Sequence, residues 1–156
     1  VQEFPDHADL LYSRGLLAAE LSMLQQHEQD IRRVIQLDPQ NAHAYNALGY
    51  TLADRTDRHD EALVLISTAL SLAPNDPFIL DSMGWVQFRL GRLEVAAGYL
   101  RRALEIRQDA EIAAHLGEVL WAKGQREEAE SLWADAIRDD PDNPVLLETL
   151  ERLKGR

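Results

Sequence analysis

AHAYNALGYTLADRTDRHDEALVLISTALSLAP, residues 42–74, is the stretch whose reading decides the fold. Its first part, Ala42–Asp54, places Tyr45, Leu48, Gly49 and Leu52 on one face at helical spacing. Its second part, Asp60–Leu72, does the same with Ala62, Leu65, Ile66, Ala69 and Leu70. Pro74 closes it, because proline lacks an N–H and clashes with the preceding turn. Two amphipathic helices joined by a short polar link make a hairpin.

The hairpin recurs. Gly15, Gly49, Gly84 and Gly117 are separated by 34, 35 and 33 residues. Ala62, Ala96 and Ala129 keep the same period, as do Ala69, Ala103 and Ala136. Pro39, Pro74 and Pro141 end units, with Gln108 in the remaining place. Agreement of several registers at a period near 34 marks a repeat architecture. The pattern predicts four hairpins at about 8–38, 42–73, 77–107 and 110–140, and a capping helix at about 143–153. Together these make a single array over 1–156. The mid-helix glycines cost about 1 kcal/mol each against alanine, which makes sense where another helix crosses closely. Gly91 and Gly124 suit the left-handed residue that ends a helix. The first unit is the least regular, with His27 in the place of Ala62 and Ser22 in the place of Gly91.

These residues resemble the tetratricopeptide (TPR) family: Leu48-Gly49, Ala62, Ala69 and Pro74; then Met83-Gly84, Ala96 and Ala103; then Leu116-Gly117, Ala129, Ala136 and Pro141. The resemblance covers roughly residues 8–153. It implies an all-α, right-handed superhelix (an α-α solenoid) of four hairpins plus the capping helix. First helices would line a concave groove, and the role would be a protein-interaction scaffold without catalysis. A narrower resemblance is carried by residues 46–56, 76–86 and 110–121. They look like the C-terminal array of proteobacterial TPR outer-membrane lipoproteins that serve as adaptors for carboxyl-terminal processing proteases. That likeness implies a periplasmic protease adaptor, anchored at the outer membrane in a full-length protein; a cytoplasmic location is the alternative.

Composition narrows the function classes. The 156 residues carry 27 acidic and 16 basic side chains, a net charge of −11. Nucleic-acid binding needs basic groups to displace phosphate counterions, so nucleic acid is not an expected partner, whereas a basic protein segment is. The absence of cysteine removes disulfides, thiolate metal sites and a cysteine nucleophile. No apolar run approaches the ~18 residues of a membrane span. Val1–Asp6 lacks the basic start and apolar run of a signal peptide.

No phosphate loop or nucleophile elbow is present, so no enzyme, catalytic residue or cofactor is expected. His27-Glu28-Gln29-Asp30 lacks the second histidine of a zinc-protease helix. His115 and Glu118 share a helix face, but two ligands do not make a zinc site, and no metal is expected.

The first-helix face assigned to the groove is more informative. It carries Tyr12, Leu16 and Glu20; Asn46, Tyr50 and Asp54; Asp81, Trp85, Phe88 and Arg89; and Glu118 with Trp121. Aromatic anchors dominate interface energies, so these residues are predicted to form an aromatic and acidic partner-binding surface. Packing of Trp85, Phe88 or Trp121 between neighbouring hairpins is the competing reading, and Trp133 falls on the core register. The rival function is architectural: self-association, or a spacer within a longer TPR protein.

Overall fold

The computed structural model describes residues 7–155, so the reading of Val1–Asp6 lies outside the described residues. Among the described residues it is all helix: α1 (Ala8–Glu20), α2 (Leu24–Leu37), α3 (Ala42–Arg55), α4 (His59–Leu72), α5 (Pro77–Arg89), α6 (Leu93–Ile106), α7 (Ala110–Ala122), α8 (Arg126–Asp139) and α9 (Pro144–Lys154). The helices pair in sequence as α1 with α2, α3 with α4, α5 with α6 and α7 with α8. These are the four predicted hairpins, and α9 starts one residue after the place expected for the capping helix. The chain divides into two compact units, Val1–Pro74 and Asn75–Arg156.

Helix starts follow local chemistry. Asn41, Asp76, Asp109 and Asn143 each accept a hydrogen bond from a backbone N–H in the first turn of α3, α5, α7 and α9. Pro77 and Pro144 stand at the first helical positions, where a missing N–H costs nothing. The hairpin turns of α5–α6 and α7–α8 use Gly91 and Gly124 at φ +83° and +85°. In the first hairpin Ser22 takes that left-handed place at φ 62°.

In the first unit the core runs through Ile31, Leu48 and Ile66, and in the second through Leu80, Leu100, Ile112, Leu120 and Leu146, all fully buried. Each such side chain contributes about 1.5–3 kcal/mol of transfer free energy. The crossing glycines do what the repeat predicts. A Cβ on Gly49 would meet Ile66 Cγ1 at 2.6 Å, and one on Gly84 would meet Leu100 Cγ at 2.5 Å. One on Gly117 would land on the indole nitrogen of Trp133, which is 2 % exposed, as its core register requires. His27, in the place of an alanine, is buried, with its Nδ1 2.8 Å from the Gly15 carbonyl oxygen.

Candidate interaction surface

The first helices carry the residues expected to meet a partner. Spacing along a helix, however, assigns a side chain to a broad stripe and not to one neighbour. In the second unit residues 79–87 of α5 and 112–120 of α7 are buried without a break. A helix buried on every side for that length presents no open stripe, and the groove expectation is corrected at three positions.

Asp81, Trp85 and Glu118 are 5 %, 4 % and 8 % exposed. Asp81 Oδ1 lies 2.8 Å from His115 Nδ1, joining α5 to α7. The Trp85 ring stacks on the His115 ring at a centroid distance of 4.3 Å, and leans on Phe88 at 5.1 Å. Glu118 receives both terminal nitrogens of Arg152, at 2.9 Å each, joining α7 to α9. Arg152 also donates to Glu148, and its guanidinium is held protonated by the hydrogen bonds to Glu118 first and Glu148 second. Asp81 and Glu118 share a physical reason: a buried carboxylate needs charge-assisted hydrogen bonds, and the adjacent helices supply them. Trp85 is covered by its stacking on His115.

Asp81, Glu111 and His115 bring one ligand atom each to within 4.8 Å of one another, the one such group among the described residues that could hold a divalent ion. The Asp81–His115 hydrogen bond already occupies two of them. His115 and Glu118, weighed together from sequence, part company: His115 turns to α5 and Glu118 to α9.

The other predicted residues are more open. In the second unit Phe88 is half-buried and Arg89 exposed. Trp121 is half-buried, with its ring 5.5 Å from Trp133 and the Arg126 guanidinium 4.4 Å from its centroid. In the first unit Tyr12 on α1 and Asn46, Tyr50 and Asp54 on α3 are all half-buried. Burial pushes the Tyr12 phenol above its ordinary pKa. Asn46 Oδ1 is buried and accepts no hydrogen bond. Beside this face Arg55 donates to the Ala19 carbonyl at 2.7 Å, which satisfies the C-terminal end of α1. Sequence reasoning missed His115 and Arg152 as partners. Both contacts span 34 residues, one repeat length, so pairing polar residues one period apart would have found them.

Tetratricopeptide repeat family models match residues 28–77 and 87–153. The chain belongs to the tetratricopeptide repeat family. It is 53 % identical over 118 residues to a TPR repeat-containing protein of Pseudomonas aeruginosa, a match covering 76 % of this chain and 20 % of that protein. It is 35 % identical over 136 residues to human tetratricopeptide repeat protein 7A, covering 84 % of this chain and 16 % of the human one. The chain thus spans a fifth or less of the length of these curated relatives. Among solved structures, a thermophilic TPR protein of Thermus thermophilus superposes with a TM-score of 0.83 at 22 % identity, covering 97 % of this chain and 81 % of that one. YrrB, described as a TPR protein with an unusual peptide-binding site, gives 0.65 at 21 % identity, covering 96 % and 86 %. At these identities the likeness speaks for the fold. Tetratricopeptide hairpins typically serve as non-catalytic scaffolds that bind proteins or peptides, and no helix of the described residues is long and apolar enough to cross a membrane.

Proposed function

We propose that this chain is the interaction module of a periplasmic adaptor that brings a carboxyl-terminal processing protease together with its substrates. The partner segment would lie on the α1–α3 face of the first unit. The observation that carries this reading is the half-buried set Tyr12, Asn46, Tyr50 and Asp54. Two phenols supply rigid apolar area, and Asp54 favours a flanking Lys or Arg. The family, the Pseudomonas relative and the peptide-binding site named for YrrB support it, as does the likeness of residues 46–56, 76–86 and 110–121 to protease-adaptor arrays.

Site-specific photo-cross-linking tests it. A benzophenone side chain at Tyr50 should cross-link the protease in a Pseudomonas aeruginosa periplasmic extract. The same probe at Val64, 66 % exposed on α4, should not. Tyr50→Ala should weaken capture about tenfold, the usual scale of a lost aromatic anchor. Equal cross-linking at both positions, or none to the protease, rejects the assignment.

The architectural reading is favoured by one observation. Leu10 and Leu17 on α1 and Leu21 just after it form a stripe and are 48 %, 53 % and 61 % exposed. Light scattering over a concentration series of the parent and Leu17→Lys separates the two: concentration-dependent association abolished by Leu17→Lys supports packing through α1.

A further inference from the structure

A depression lies on the second-helix side of the Asn75–Arg156 unit, away from the first-helix residues discussed above. Helices α6 and α8 each pack on α7, and their own backbones stay apart. The gap between them is a trough of about 480 Å³. Leu104, Leu116 and Leu132 floor it, and Arg101, Glu105 and Glu128 stand along its edge. It adjoins a hollow of about 300 Å³ that shares Gln108, Leu132 and Asp135 with it. Asp109, Asp139 and Asp140 also line that second hollow, together with Ala110, Ala113 and Ala136. One end of the continuous depression is therefore apolar and the other carboxylate-rich.

The charge around it is not balanced from within. Arg101 is taken by Glu128 at 2.9 Å, and Arg138 by Asp135 at 2.6 Å. Asp109 is committed to capping α7 through the Glu111 and Ile112 N–H groups. Among the described residues Glu105 and Asp139 make no ion pair or hydrogen bond, and neither shows an interaction of another kind. Helix α8 ends at Asp139, in the second hollow, and α6 ends two residues before Gln108, which lines both hollows, so the negative ends of two helix dipoles add to the charge there.

We propose that this trough binds an extended segment of another protein that carries apolar side chains followed by Arg or Lys. The leucine floor would take the apolar side chains, and Glu105, Asp139 and Asp140 the cationic ones. A second copy of this chain fits poorly, because its net charge is −11, with 27 acidic against 16 basic residues; like-charge surfaces repel.

The test uses the whole chain and a fluorescein-labelled octapeptide, Gly-Ser-Leu-Leu-Gly-Arg-Lys-Arg, followed by fluorescence polarisation at low salt. Binding should weaken at least about tenfold in the double variant Glu105→Lys/Asp139→Lys, a charge reversal at two exposed positions. It should weaken similarly when both peptide leucines become serine, and should stay within about twofold of the parent in Tyr50→Ala. Three results overturn the proposal. They are parental binding by the double variant; equal binding of the serine and leucine peptides, which reduces the effect to diffuse charge; and loss of binding in Tyr50→Ala, which moves the peptide to the first-helix face.

Discussion

At Gly117 the helix crossing leaves no room for a methyl group, because the neighbour is the rigid, buried indole of Trp133. At Gly49 the nearest neighbour is Cγ1 of the smaller Ile66 side chain, at 2.6 Å, with the Ala62 carbonyl oxygen at 3.2 Å. Alanine gains about 1 kcal/mol of helix propensity at either place, so the sign depends on what can yield. Gly117→Ala is expected to destabilise by about 1–3 kcal/mol through overpacking, and Gly49→Ala by less. Urea unfolding of both variants checks the order. Ser22 offers the opposite case. Its backbone is left-handed, and its N–H and that of Met23 bond back to Ala19 and Ala18 as the Gly91 and Gly124 turns do. Ser22→Gly should therefore raise stability by about 0.5–1 kcal/mol, the left-handed penalty less the entropy of glycine. A melting temperature unchanged or lowered in Ser22→Gly would count against that turn geometry.

Between elements, the second helices of the first unit are tied by ions. Glu28 on α2 accepts from Arg58 and Arg32, and Glu61 on α4 accepts from the same two guanidinium groups. The hydrogen bond from Arg58 is the largest cause, with burial opposing and Arg32 adding, by which the Glu28 carboxyl falls to about 2. Glu61 is shifted down as well, by Arg58 first and Arg32 second. Carboxylates with a folded pKa below the unfolded one stabilise above the unfolded value, near 4.5, and lose that contribution as pH falls toward the folded value. Thermal stability should hold from neutral pH to about 5 and then drop faster in the parent than in Glu28→Gln. Parallel pH profiles would expose a network without net effect. In the second unit, α9 presents Leu146, fully buried, and Arg152 to its neighbours. Arg152→Ala leaves Glu118 in its buried place without its bidentate partner. A loss of about 1–3 kcal/mol follows, since Arg152 itself is partly in water. Deleting residues 143–156 should do more, adding aggregation visible by light scattering. A truncated chain that stays monomeric and equally stable would refute the capping role of α9.

For the whole molecule, a net charge of −11 makes association with a basic partner faster at low ionic strength. Charge of this kind acts mainly on the on-rate. Association rates should fall steeply between 50 and 300 mM salt, roughly the range over which the screening length shortens below 10 Å, while dissociation changes little. The hairpins themselves were legible because glycine, alanine and proline recur at a fixed period, and each has a steric reason to do so. Asn41, Asp76, Asp109 and Asn143 cap helix starts, a signal that stands in the sequence but that the repeat reading did not use. The surface was legible only in part. Tyr50 and Trp85 occupy matching places after Gly49 and Gly84, yet one is half-buried and the other 4 % exposed. Helical periodicity cannot separate them, because it describes a single helix, and the burial of Asp81, Trp85 and Glu118 is decided by which side chains of a neighbouring helix lie opposite.

Glu118 and Arg152 stand equally far beyond their caps, Asp109 and Asn143. Had α7 simply been copied to form the next helix, a second glutamate would lie where Arg152 lies, and the buried Glu118 carboxylate would face another carboxylate. The polar contact therefore works as an address label: α9 fits after α7, and a duplicate of α7 does not. An array marked in this way cannot lengthen or shuffle by tandem duplication of that unit unless the new junction is rewritten at the same time, so the order of its hairpins is part of what its sequence encodes.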